Sequence, residues 1–396
     1  MMSPMVKGRI LKEPVYLDCA ATTPLVPEVR EEVLRYLDRD FGNAGSRTHD
    51  YGLKARAVVE QARHRVADAL GASRGDIVFT SGATESNNLA LVGLRSEGER
   101  SGRRHIVTTA IEHHAVLEPL AELERLGFRV DRVRPDGGGA VRPEDIAGAV
   151  GPDTLAVSVM HVNNETGVVQ PIGPIAAILE DSPAIFHVDA AQGIGCEPAT
   201  LRHPRIDLVS ISGHKIHAPK GVGALVVRRR DGARPPLTPL MFGGGQERGL
   251  RPGTLPVALI AGLAKAVELV VEEHEERSRR CREFRRALLE GLAPLGAVTN
   301  PDPARTVPHI LNIAIPGMES ETVIEAWKSL VAISQGAACT STTYTCSHVL
   351  GAMELPRWRQ DGALRLSWCH RTPMPDTAAM VCAIERVREE SEGVVR

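Results

Sequence analysis

Apolar positions along the chain fall into short β-branched runs separated by stretches of helical spacing. Residues 77–80, 105–109, 155–160, 184–188, 208–211 and 224–227 read as buried strands. Residues 27–37, 53–70 and 256–292 repeat at helical spacing, and Pro27 suits a first helical turn. Strand and helix alternate, which predicts an α/β fold with a mainly parallel sheet and helices on both faces. Beyond 271 the pattern loosens. A strand is expected at 310–315, a helix from Ser320, a loop at 335–347, a strand at 364–368 and a final helix. The domain change is expected inside the long helical stretch, near Val271.

Four of the strands run into polar constellations, and in an open α/β sheet such ends converge on one edge where ligands bind. The first is Ser81-Gly-Ala-Thr-Glu-Ser-Asn-Asn, which opens a helix. Backbone N–H groups and the Thr84 hydroxyl at that helix start suit a phosphate, and an ordinary capped helix fits the same residues. The second carries His113 and His114; an imidazole there can stack on a ring and move protons, or be structural. The third is His161-Val-Asn-Asn-Glu-Thr-Gly and the fourth Asp189-Ala-Ala-Gln192. A carboxylate at Asp189 can pair with a pyridinium nitrogen or cap a helix.

Lys215 lies in a turn of Ser, Gly, His and Pro between the runs 208–211 and 224–227. Flanking apolar strands strip water from its amine and favour the free base that a Schiff base to pyridoxal phosphate needs. A surface lysine in an ordinary turn fits these residues equally. Cys339, among small and polar residues, is a candidate nucleophile; an incidental loop thiol or a Cys339–Cys346 disulfide are the alternatives.

Composition narrows the class. With 396 residues, 43% hydrophobic and 24% charged, the chain is long enough for two domains of an ordinary globular protein. Its net charge of −2 creates no global field for nucleic acid, so no direct nucleic-acid binding is expected. The arginines between 277 and 286 alternate with Glu276 and Glu283, as on a solvated helix face. Seven cysteines without close paired zinc spacing, and no apolar run approaching a membrane span, point to a cytoplasmic protein with no metal site.

Taken in order, the motifs resemble the cysteine desulfurases of the NifS/IscS type. The resemblance runs from Tyr16-Leu-Asp-Cys-Ala-Ala-Thr-Thr to Arg365-Leu-Ser. It includes the Ser81 motif, Glu112-His113, Asn163-Asn-Glu-Thr-Gly, His187-Val-Asp-Ala-Ala-Gln, Ser212-Gly-His-Lys, Gly243-Gly-Gly-Gln-Glu-Arg-Gly and Ala338-Cys-Thr-Ser. It implies a pyridoxal-phosphate enzyme of fold type I, the aspartate-aminotransferase-like architecture. A large domain at 24–270 would hold a mainly parallel seven-stranded sheet. A smaller α+β domain at 271–396, with 1–23 as part of it, would carry the catalytic cysteine loop.

The resemblance also implies roles. Lys215 would be the Schiff-base lysine and proton carrier, Asp189 would contact the pyridine nitrogen, Gln192 the ring hydroxyl, and His113 would stack on the ring. Ala83, Thr84, Ser212 and His214 would cradle the phosphate, and Thr254 would reach it from the partner subunit of a homodimer. Asn164 and Arg365 would hold the substrate, L-cysteine. Cys339 would become a persulfide, leaving L-alanine, and pass its sulfur to an acceptor protein. Iron–sulfur assembly, tRNA thiolation and DNA phosphorothioation are the outlets this family implies. Another fold-type I enzyme, a selenocysteine lyase or an aminotransferase, would not need Cys339. The chain departs from the family pattern at Cys346, where Pro is usual, at Trp368-Cys-His-Arg after Ser367, and at Ala337-Ala before Cys339.

Overall fold

The computed structural model describes residues 5–6, 9–10, 13–335 and 347–394. The chain forms two compact units: Thr22–Asn164 with Val168–Glu275, and Met1–Ala21 with Glu165–Gly167 and Glu276–Arg396.

The larger unit is built on seven strands: β1 (Ile77–Thr80), β2 (His105–Thr109), β3 (Arg129–Val133), β4 (Thr154–Met160), β5 (Ile185–Asp189), β6 (Leu208–Ser212) and β7 (Gly223–Val227). They lie in the order β1-β7-β6-β5-β4-β2-β3, and β7 alone runs against its neighbours. Both faces are buried, so the strands read as continuous apolar runs rather than alternating ones. Phe79, Val107, Val157, Phe186 and Val209 share one core with α1 (Pro27–Asp38), α2 (Asp50–Ala69) and α5 (Val257–Glu272). Val78, Ile106, Ala156, Ile185 and Leu225 share another with α3 (Ala83–Leu91) and α4 (His114–Arg125). Six strands therefore point one way, and the segments after β1, β2, β4, β5 and β6 emerge at one edge. Gly223 is opposite both Thr80 and Ser212, which brings the ends of β1 and β6 level there.

Two features differ from the sequence expectation. β3 is an edge strand of alternating charge, Arg-Val-Asp-Arg-Val, and buries only Val130. One wet face hides it from a search for apolar runs. The stretch 256–292 is two helices, α5 and α6 (His274–Leu292), parted at Glu273. The first is apolar almost all round, whereas the second buries only Cys281, Phe284, Leu288 and Leu292.

The smaller unit has a four-stranded antiparallel sheet: Val298–Thr299, β8 (Ile310–Ala314), β9 (Ala363–Ser367) and Ser334–Gln335. Leu311, Ile313, Leu364, Leu366 and Trp368 share a core with α6 and with Met380 and Ile384 of the last helix, Thr377–Val394. The Phe284 and Trp368 rings lie 4.8 Å apart, and the Trp368 indole donates to the Cys281 carbonyl at 3.2 Å. Asn312 and Arg365 oppose each other on the alternate, polar face of the sheet.

Candidate active site

Asp189 closes β5 with its carboxylate fixed from two sides. Oδ2 accepts from the Asn87 amide at 2.7 Å and Oδ1 from the Ala191 N–H at 2.9 Å. Asn87 comes from α3, and nothing in the sequence but its place in the Ser81 motif marked it. Two residues earlier on β5, His187 spans its neighbours, bonding Ser158 at 2.8 Å and Ser210 at 3.0 Å. Burial lowers its pKa to about 4, so this ladder behind Asp189 is neutral.

His113 caps α4: its Nδ1 accepts from the Ala115 N–H at 3.0 Å. The neutral ring therefore carries its proton on Nε2. The side chain is solvent-exposed, yet enough protein surrounds it that desolvation is the main cause of a lowered pKa. Asp189 opposes that shift, and Lys215 adds to it. Amine, imidazole and carboxylate thus interact electrostatically. Below His113, the buried Glu112 accepts from the Thr109 hydroxyl at 2.8 Å and the Met160 N–H at 2.7 Å, tying the β2 and β4 ends together. Burial pushes its pKa up to about 8. Sequence reasoning named Glu112 only as part of the Glu112-His113 motif and gave it no role, although a carboxyl beside the apolar Ile111 is a visible signal.

Lys215 ends a single tight turn, Gly213–Lys215, directly after β6. Thr22 and Thr23 brace this turn. Thr23 donates twice to the His214 carbonyl, at 2.8 and 2.9 Å, its hydroxyl accepts from the His217 N–H at 2.7 Å, and Thr22 lies 3.2 Å from His214 Nδ1. His217 takes the left-handed conformation at φ 70, a strained geometry for a residue with a side chain. Burial, with Lys215 and Lys220, lowers the His214 pKa to about 4, so its ring is a neutral hydrogen-bonding group.

Ala83 and Thr84 form the first turn of α3, after Gly82 at φ 155. A Cβ on Gly82 would meet only Ser212 Oγ, at 3.6 Å, so the bare glycine keeps the space between helix end and hydroxyl clear. Unpaired N–H groups of a first turn, a threonine and a serine make an anion cradle. Cradle, amine, imidazole and fixed carboxylate together fit pyridoxal phosphate, with α3 placed to take its phosphate, Lys215 its aldehyde and Asp189 its ring nitrogen were it bound. Gln192 is buried after β5, and Asn164 is half-buried in the turn after β4. Thr254 is not with them; it is exposed in the loop before α5.

In the smaller unit Arg365 sits in mid-strand on β9, only 1% exposed, and its guanidinium meets the Asp18 carboxylate at 2.7 Å. The Glu165 carboxylate accepts from the Ser347 hydroxyl at 2.5 Å, and burial raises its pKa to about 7 against the opposing effects of Ser347 and Arg365. Cys339 and Cys346 lie outside the described residues.

The class-V aminotransferase family model matches residues 15–378. This chain belongs to that family. It is 42% identical to the cysteine desulfurase IscS of Photorhabdus laumondii over 360 residues, 90% of this chain and 88% of that protein. A solved NifS-like protein superposes with a TM-score of 0.86 at 36% identity, covering 95% of this chain and 99% of its own. DndA from Streptomyces lividans superposes with a TM-score of 0.79 at 49% identity, covering 89% and 99%. The architecture is fold type I, the cofactor is pyridoxal phosphate, and the activity is that of a cysteine desulfurase. The aminotransferase and selenocysteine lyase alternatives gain no support.

Proposed function

We propose that this desulfurase works through Lys215, His113, Asp189 and Cys339, and that its sulfur leaves for DNA phosphorothioation. The observation that carries the site is the fixed Asp189 carboxylate at the same sheet edge as the Lys215 turn and the α3 cradle. When bound, pyridoxal phosphate supplies an electron sink for a carbanion at the substrate Cα. Asp189 keeps the ring nitrogen protonated, and Asn87 and the Ala191 N–H stop that carboxylate from turning away. Gln192 holds the ring hydroxyl, and His113 covers the ring with its neutral face. Ala83, Thr84, Ser212 and His214 hold the phosphate. Lys215 would anchor the cofactor and carry the substrate Cα proton at Nζ. Asn164 and Arg365 orient the substrate carboxylate.

Cys339 then attacks the substrate sulfur as thiolate. A sulfur–sulfur bond forms, the carbon–sulfur bond breaks, and its electron pair returns to the carbon skeleton, which is protonated and leaves as L-alanine. The enzyme operates as a cytoplasmic homodimer in which Thr254 of one copy reaches the phosphate held by the other. An acceptor protein takes the persulfide sulfur. The phosphorothioation outlet is favoured by 49% identity to DndA, a protein of that process, against 42% and 43% to IscS proteins.

Deleting the chain in its host and digesting the DNA for mass spectrometry tests the outlet. Phosphorothioate linkages should vanish while thiolated tRNA persists; the opposite pattern would overturn it. The site is tested separately by alanine release from L-cysteine, which Cys339→Ser should abolish.

A further inference from the structure

β1 is an edge strand, and the outer side of such a strand offers unpaired backbone groups. Here two side-chain ion pairs take the place of a neighbouring strand. Arg63 donates to the Ile77 carbonyl at 2.7 Å, and Glu247 accepts from the Phe79 N–H at 2.7 Å. Arg63 and Glu247 clasp each other through bonds of 2.7 and 2.8 Å with both side chains nearly sealed from solvent. Two residues on, the Ser81 N–H donates to Glu85 at 2.7 Å, and Arg251 pairs with Glu85 at 2.8 Å. Carbonyl 77 and amides 79 and 81 alternate along one side of the strand. The loop from Gly243 to Thr254 therefore lays one anion, Glu247, and two cations along the open edge: Arg248, which donates to the Ile77 carbonyl at 3.0 Å, and Arg251, which reaches the edge through Glu85.

The loop accepts strain to do so. Glu247 and Arg248 are both left-handed, at φ 47 and 60, although neither is glycine. Such a pair persists only where the surroundings over-determine it. Three residues after Arg251 comes Thr254, which lines an open groove of about 470 Å³ together with Arg63 and Glu247. His113, Asp189 and Lys215 are not among that groove's walls.

We propose that Glu247 and Arg251 are positioning residues for Thr254, stapling its loop to the β1 edge so that its hydroxyl is held ready for a phosphate bound by a second copy of this chain. The proposal rests on the reading of Thr254 given above. Glu85 belongs to the first turn of α3, beside Thr84, so the outer pair also ties the loop that one copy lends to its own phosphate cradle.

A double-substitution cycle on purified holoenzyme tests this. The readout is the rate of pyridoxal phosphate loss in the presence of a trap, followed by visible absorbance, with sedimentation reporting the oligomer. Thr254→Ala should speed loss by about 10-fold, the worth of roughly one good hydrogen bond to a charged group. Arg251→Ala should speed it about 3- to 10-fold, and the double variant should be no faster than Thr254→Ala alone, within about 2-fold. Glu247→Gln should move it in the same direction; should that variant not fold, Arg251→Ala decides. A silent Thr254→Ala removes the reading of Thr254 and the staple with it. A silent Arg251→Ala, or one that multiplies fully with an effective Thr254→Ala, overturns the staple alone.

Discussion

Lys215 and Arg365 are the two cations assigned to the reaction, and the molecule holds them in opposite ways. Lys215 is half-buried in a three-residue turn just past a strand end, braced by Thr23 through the His214 carbonyl and by Thr22 through the His214 ring. Arg365 is embedded in mid-strand, sealed from solvent, with the Asp18 carboxylate at 2.7 Å. The backbone bonds that brace such a turn persist when its side chain is removed. A buried guanidinium cannot lose a carboxylate partner so cheaply, because breaking a buried ion pair from one side is strongly unfavourable. Function and stability should therefore separate cleanly at the first and be entangled at the second.

The sharpest break is Lys215→Ala. Removing the proton carrier should lower alanine formation by about 10³-fold or more, while the urea midpoint stays within experimental scatter of the native value. Full activity in that variant would sink the assignment. A large fall in the midpoint would instead show that the turn is not as independent of its side chain as its bracing suggests.

Asp18→Ala probes the other side. Leaving Arg365 without this carboxylate should destabilise the chain by about 3 kcal/mol and raise KM for L-cysteine more than it lowers kcat. Equilibrium unfolding and steady-state kinetics on one preparation check both. A stability loss with unchanged KM would make the pair purely structural and detach Arg365 from the substrate.

This contrast also explains what could be read from the chain. Asp189, Lys215, Thr84 and His113 follow apolar runs, so their emergence at one sheet edge follows from strand direction alone. The partners that fix them are less visible. Asn87 reaches Asp189 from 102 residues away, and Asp18 meets Arg365 across 347. No local pattern encodes such pairs; they exist only once the sheets have formed. β3 escaped for a related reason, since an edge strand with one wet face carries no continuous apolar run. Thr254 is a third kind of case. Its motif was legible, but in the folded chain it lies in an exposed loop, apart from the residues gathered at the sheet edge.

The smallest effect lies beneath His113 and sharpens the comparison within the larger unit. Glu112 is sealed from solvent like Arg365, and burial raises its pKa from 4.5 to about 8. A carboxyl whose folded pKa is raised binds its proton more tightly in the folded state. Stability is therefore greatest at low pH with respect to this group, and falls as pH rises from about 4.5 to 8. His187 and His214, lowered to about 4, act in the opposite sense, losing stability as pH falls below their ordinary value of 6.5. Between about pH 6.5 and 8 the raised acids, Glu112 and Glu165, dominate over these histidines. In that window Glu112 should contribute a downward slope of at most about 1.4 kcal/mol per pH unit, and Glu112→Gln should remove it. The glutamine keeps a carbonyl to accept from Thr109 and Met160 and never ionises, so the variant should already be more stable than the native chain at pH 6.5 and by a wider margin at pH 8. Parallel unfolding curves at the two pH values decide the point. Equal slopes in both proteins would mean that Glu112 is already ionised, and that its two donors stabilise a buried anion rather than accompany a neutral acid.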